Sequence, residues 1–221
     1  MDLKYHHRPA VVAVSVVLAG LLAWPAAGLA QLGGLPLPLP TPPPTSSGTV
    51  TGQAAAVQVS VLGLLGTVST TTLSGTGSLS STNDARDASQ LAGNIPSLLG
   101  AEALQADTIG LANEVDSEAS LAGLNLTVVG IPITADFIRA SAVAISGAAG
   151  SGTSEIDNLA INGVPIAITG APNQTVAIPG GQLIINEQTI SSNGSTVVNA
   201  LHMTVNGIAD VVIASATAGI S

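Results

Sequence analysis

Val57-Gln58-Val59-Ser60-Val61 sets an apolar side chain against a polar one at every step, and Leu124-Asn125-Leu126-Thr127-Val128 does the same. Successive side chains of an extended chain point to opposite faces, so a period of two describes a strand with one apolar face turned inward. Related runs lie at Ile166 to Ile168, Leu183 to Ile185, Leu201 to Val205 and Val211 to Ala218. Among them stand Asn162-Gly163, Asn193-Gly194 and Asn206-Gly207, pairs that tolerate the positive φ angles of tight hairpin turns. The expectation is an all-β domain built of antiparallel strands. A short helix fits between Ser89 and Ala103, with Pro96 and Gly100 arguing against a long one.

Working outward, the chain repeats itself weakly. Ala101 to Ala106 reads like Ala135 to Ala140 at an offset of 34 residues, and Gly130-Ile131-Pro132-Ile133 matches Gly163-Val164-Pro165-Ile166 at an offset of 33. Two architectures fit such a duplication, a sandwich of two similar sheets and a stacked solenoid. Varied loop lengths and the Gly/Ser/Thr-rich segment Ser74 to Thr82 favour the sandwich. After residue 30 the only aromatic ring is Phe137. An aromatic ring buries on the order of 150 to 250 Å², so its scarcity forces many thin aliphatic contacts. Ala214, Ala216 and Ala218 would let another backbone approach closely, with Ser215 and Thr217 on the opposite face. Flat faces of this kind suit repetitive association, in an array or a filament, as well as a monomer.

The amino terminus speaks to compartment. Lys4 and Arg8 precede an uncharged run from Ala10 to Ala23, and Gly28-Leu29-Ala30 offers a small-residue cleavage site, the pattern of a secretory signal peptide over residues 1–30. The run is 14 residues, short of the roughly 20 a spanning helix needs. Cleavage after Ala30 is the expected outcome and an uncleaved amino-terminal anchor the competing one. Residues 31–48 alternate Leu with Pro and then run Pro42-Pro43-Pro44, which reads as a polyproline-like linker or a plain tail. The all-β surface domain is expected over 49–221, and no later segment is apolar for long enough to span a membrane.

Removing residues 1–30 leaves 12 acids against 2 bases, Arg86 and Arg139, a net charge of −10. Such a chain repels phosphate, so nucleic acid and anionic membranes are poor partners. There is no cysteine, so stability in an oxidising compartment rests on burial and strand pairing.

Several segments of the second half, Ala171-Pro172-Asn173-Gln174-Thr175, Ile178-Pro179-Gly180-Gly181, Leu183 to Gln188, Val198 to His202 and Asp210 to Ile220, resemble the choice-of-anchor P family of bacterial surface proteins, and the strand Ala56 to Gly66 fits that pattern. The resemblance covers roughly Gly52 to Ile220. It implies an exported domain, attached to the envelope by sorting signals that differ between members, with no assigned activity. The end, Gly219-Ile220-Ser221, carries no sorting motif, hydrophobic tail or basic cluster, which argues against anchoring and moves the expectation toward simple secretion.

Reactive side chains are few. His202 is the lone histidine after residue 30, placed by Leu201 and Met203 on the polar face of a strand, which reads as a structural role. A serine hydrolase needs a nucleophile beside such a histidine, and no Gly-x-Ser-x-Gly elbow occurs. Glu114, Asp116 and Glu118 share one strand face, with Glu155 and Asp157 near the next strand, a set of hard oxygens that suits calcium. The plainer reading is a solvated acidic edge that discourages aggregation. Thr70-Thr71-Thr72 is too short for a regular threonine array, and the Asn-x-Ser/Thr triplets at Asn125, Asn173 and Asn193 arise readily in such sequence. The expectation is a secreted or cell-surface structural or adhesive β-domain without catalytic activity, partnered by an envelope component or by itself. The alternative is a calcium- or carbohydrate-binding extracellular module, for which Phe137 is the sole candidate aromatic platform.

Overall fold

The computed structural model describes residues 49–62, 67–192 and 194–221. The segments read as signal peptide (1–30) and linker (31–48), and the turn residue Asn193, lie outside the described residues. Two antiparallel sheets pack face to face. The first contains, in spatial order, β10 (Gln174–Ile178), β11 (Gly181–Ile190), β12 (Thr196–Val205), β13 (Ala209–Ile220), β1 (Val50–Leu62) and β2 (Val68–Gly75). The second runs β3 (Ala85–Ile95), β4 (Leu99–Gly110), β5 (Glu114–Val128), β6 (Ile131–Ile145), β8 (Ala160–Ile161) and β9 (Val164–Pro165), and β7 (Ser151–Asp157) pairs along the rest of β6. The architecture is the β-sandwich and not the solenoid. The crossover from β2 to β3 is the Gly/Ser/Thr-rich segment, which stays tied to β1 through Thr76 N to Ala54 O (2.9 Å) and Leu79 N to Gly52 O (2.8 Å).

Two local expectations are corrected. No helix forms between Ser89 and Ala103; that stretch is the β3–β4 hairpin. Pro96 presets the first turn position, Ser97 takes a positive φ of 62°, and Leu98 N closes on Ile95 O at 3.0 Å. Ile166 to Ile168 is not a strand either, because Pro165 and Pro172 deny the ladder two amide donors and the segment turns back, with Ile166 N bound to Leu159 O at 2.8 Å.

The repeated Gly-x-Pro-Ile segments both begin at turns of one type. Val129-Gly130 (φ +50° and +75°) joins β5 to β6, and Asn162-Gly163 (φ +51° and +73°) joins β8 to β9. Positive φ at both central positions is the signature of a type I′ turn.

Strict alternation holds only in halves. In β12 Val198 and Ala200 are buried, and then so are Leu201 and Met203; in β13 Val211 and Ile213 give way to Ala214, Ala216 and Ala218. β1 makes the same change at Ala56/Val57 and β11 at Ile185/Asn186, while Asn186 and Ala214 take positive φ (53° and 51°). No residue is inserted in either strand of these pairs, so the change is a paired reversal of facing and not a bulge. Because neighbouring strands shift phase at the same level, pairing resumes in register beyond it. The second sheet shifts in the opposite sense, with the adjacent pairs Glu102/Ala103, Ala122/Gly123 and Asp136/Phe137 all lying outside the core.

The shift divides the core. On one side lie Leu104, Leu121, Leu126, Ile133, Leu183, Leu201 and Met203; on the other Ala54, Ala106, Ala119, Ala140, Ala142, Ala216 and Ala218, all fully or nearly fully buried. At the alanine end Ser117 Oγ of β5 donates to Thr217 O of β13 at 2.7 Å, and shares a 2.6 Å hydrogen bond with Thr108 Oγ1. Facing sheets ordinarily stand about 10 Å apart. A serine hydroxyl reaches the opposite backbone only where the layers close in. Gly152 of β7 belongs to the same contact, since a Cβ there would collide with Val198 Cγ2.

Candidate functional site

The phase shift decides which polar groups meet on the outer face of the first sheet. Asn199 and His202 are three residues apart and Asp210 and Ser215 five, separations that on an unbroken strand would put the members of each pair on opposite faces. Because Ala200 with Leu201, and Ile213 with Ala214, point inward together, all four polar residues lie outside the core. Glu187, directly after the buried Asn186, pairs with Asn199 in the ladder, and Asn199 pairs with Ser215.

A hydrogen-bonded relay results. Ser215 Oγ donates to Asn199 Oδ1 at 2.7 Å, Asn199 Nδ2 donates to Glu187 Oε2 at 2.6 Å, and His202 Nδ1 lies 2.8 Å from the same carboxylate oxygen. His202 Nε2 stands 3.3 Å from Asp210 Oδ1, but that approach is too poorly aligned for a hydrogen bond, and the nitrogen is buried without another partner among the described residues. The imidazole is thus flanked by two carboxylates, with its side chain 20% exposed. Beside the relay runs a shallow groove of about 260 Å³ between Gln53, Gln58, Asn199, Ser215 and Thr217. A hydrolytic serine–histidine pair needs the hydroxyl hydrogen-bonded to the imidazole. Here Ser215 is committed to an amide oxygen and His202 to a carboxylate, an arrangement that orders a polar surface.

The outer face of the second sheet carries the acids. Glu114, Asp116 and Glu118 share that face of β5 as expected, alternate residues being roughly 7 Å apart along a strand. They do not converge. Glu118 stands opposite Asp107, which stands opposite Asp87, and it lies 3.7 Å from Arg139, whose other nitrogen is 3.0 Å from Glu155. Asp157 pairs with Phe137 farther along. Calcium requires six to eight oxygens at about 2.3–2.6 Å, and among the described residues no group of three His, Asp or Glu side chains could hold a metal ion. Partial burial raises the Asp107 carboxyl above the usual carboxylate range, and the nearby charges of Asp116 and Asp87 add to the rise.

Asp84, at the entrance to β3, is the opposite case. Its Oδ2 accepts from Ser80 N and Ser80 Oγ, each at 2.8 Å, and from Arg86 Nε at 2.9 Å. These donors, with Ser80 foremost, hold its pKa down at about 2. The sequence offered a signal for His202, its polar strand position, but none for Glu187 or Asp84. Their partners come from a phase shift and from a turn that simple alternation does not reveal.

Comparison with family models, with curated proteins and with solved structures finds no match for this chain.

Proposed function

We propose that the domain is an exported structural or adhesive module of the cell exterior that acts through its surface rather than by making or breaking bonds. The observation that carries this reading is the placement of the chain's entry. Thr49 enters the sandwich at the alanine end, where Ser221 N binds its carbonyl at 3.1 Å. The described chain thus begins and ends at one pole, and the outer faces of both sheets carry its polar side chains. The resemblance to choice-of-anchor P domains supports the same reading, as do the uncharged run from Ala10 to Ala23 behind Lys4 and Arg8 and the Pro-rich stretch that follows it. Among the described residues no helix is long and apolar enough to cross a membrane.

The test is to express the full chain in a bacterial host, fractionate it, and sequence the amino terminus of the extracellular or envelope product. A product beginning at Gln31 and open to antibody on intact cells is the expected result. A cytosolic product still beginning at Met1 would sink the reading.

A further inference from the structure

A strand at the edge of a sheet presents a row of unpaired amide and carbonyl groups, and proteins blunt such edges with charge, proline or brevity. The second sheet is blunted on both sides. β3 carries Arg86 and Asp87, and Asp87 brings the carboxylate row of Asp107 and Glu118 to the rim. β7 carries Glu155 and Asp157, while β9 is two residues long and contains Pro165. In the first sheet β10 spans five residues between Pro172 and Pro179. β2, at the other end, has none of these devices. Its eight residues hold neither charge nor proline, and no charged residue occurs anywhere from Val50 to Asn83. Val68 to Thr72 are all exposed, and Val68, Thr70, Thr71 and Thr72 are β-branched, the residue type that best suits an extended strand.

The ladder fixes which groups of this edge are free. Leu62 N donates to Ile208 O at 2.9 Å, toward β13. Bonds of an antiparallel ladder alternate from side to side along a strand, so the β1 residues that bond β2 are Val57, Val59 and Val61, whose partners are Leu73, Thr71 and Ser69. The amides and carbonyls of Val68, Thr70 and Thr72 therefore point away from the sheet. Their side chains lie on its outer face, where Thr70 Oγ1 stands 3.2 Å from Ser60 Oγ. Ser74 closes the open stretch: it takes a φ of +46°, is buried, and its hydroxyl donates to Gln90 Oε1 of β3 at 3.4 Å.

We infer that β2 is the site at which a second copy of this chain adds, antiparallel and edge to edge, so that two six-stranded sheets join across a two-fold axis at Thr70. The free groups are self-complementary about that residue. Val68 of one copy faces Thr72 of the other and Thr70 faces Thr70, each as a hydrogen-bonded pair of the ladder. Charge favours a copy as the occupant, because two identical acidic bodies can pair without facing like charges only along an uncharged strip. The alanine face of β13 is not available for association, since Ala214, Ala216 and Ala218 are wholly buried between the sheets. An interface that uses the same patch on both copies is closed by its own symmetry, so pairing stops at the dimer. This names a partner for the surface module proposed above and rests on that reading only for where the pairing takes place.

The experiment is sedimentation velocity of the purified full chain over a range of concentration. A monomer that passes to a dimer, and no further, between about 1 µM and 1 mM is expected, the range of a small interface. Added salt should shift the balance toward the dimer, since it screens repulsion between the acidic bodies. Thr70→Lys sets two like charges opposite each other at the axis, and Thr70→Glu does the same. Each alone should weaken dimerisation about tenfold or more, and a mixture of the two should restore it. Because Thr70 is exposed, both variants should melt close to the parent, which separates lost pairing from lost folding. Thr70→Cys, in a chain with no other cysteine, should give a disulfide-linked dimer on mild oxidation, and Val164→Cys on β9 should not. A protein that stays monomeric throughout, association that survives Thr70→Lys, or a Lys and Glu mixture no better than either alone overturns the proposal. These outcomes are separate from localisation, since a protein exported with its amino terminus at Gln31 could still be monomeric.

Discussion

Ser117 shows how much a single hydroxyl does where the two sheets close in. It donates to Thr217 O and shares a bond with the fully buried Thr108 hydroxyl. Removing one member of a buried set leaves its partners without hydrogen bonds, which costs about 1–3 kcal/mol. Ser117→Ala should therefore lower unfolding free energy by that amount in urea titration. Thr196 presents the reverse case, since its buried Oγ1 has no partner among the described residues. Thr196→Val, which exchanges that hydroxyl for a methyl, should raise stability by about 1 kcal/mol in the same assay. The carboxylates separate by pH. The Asp107 carboxyl titrates above its unfolded value, so ionising it opposes folding, and the loss develops as pH rises through the folded pKa. Asp107→Asn should be the more stable protein at pH 7, with the difference closing in acid. Asp84 works in the other direction: with a folded pKa of about 2, it supports the fold at neutral pH and withdraws that support between about pH 4 and 2. Comparing the acid unfolding midpoints of Asp84→Asn and the parent chain reads this out.

At the scale of the strand, the phase shifts explain both what the sequence revealed and what it hid. Alternation in Val57 to Val61 and Leu124 to Val128 identified strands because each run lies on one side of a phase shift. Val211 to Ala218 crosses one, and there a single period of two assigns half the residues to the wrong face. The Gly-x-Pro-Ile matches located two genuine type I′ turns, whereas Ser89 to Ala103 misled because a hairpin built largely of Ala, Leu, Gly and Ser holds only one β-branched residue, Ile95, of the kind that marks strands. The acids of β5 were placed on the correct face, but whether carboxylates converge depends on cross-strand neighbours that spacing along one strand cannot give. Glycines in strands are readable only once partners are known. Gly152→Ala would set a methyl against Val198, and overpacking of that kind costs about 1–3 kcal/mol. A loss of that size in thermal or chemical unfolding is the expected result, against little change for an alanine at the open Gly100.

Across the whole molecule, composition and shape work together. Alanines pack one end of the sandwich and leucines, isoleucines and a methionine the other, and Thr49 and Ser221 meet at the alanine end. Charge follows the same axis. The carboxylates Asp87, Asp107 and Glu118 stand directly opposite one another across β3, β4 and β5, and like charges in facing positions repel. The described residues carry 12 acids against 2 bases, too few cations to neutralise that row. Salt should therefore stabilise this protein. Screening is already strong near 0.15 M, where the Debye length is about 8 Å. Recovering about 1 kcal/mol of exposed repulsion raises the melting temperature of a chain this size by about 2–4 °C. A melting curve that climbs between 10 mM and 0.5 M sodium chloride, and climbs less in Asp107→Asn, would assign the effect to the acidic row. A fall with salt would mean that the ion pairs Arg139–Glu155 and Arg86–Asp84 outweigh it, which their exposure and the excess of acids argue against.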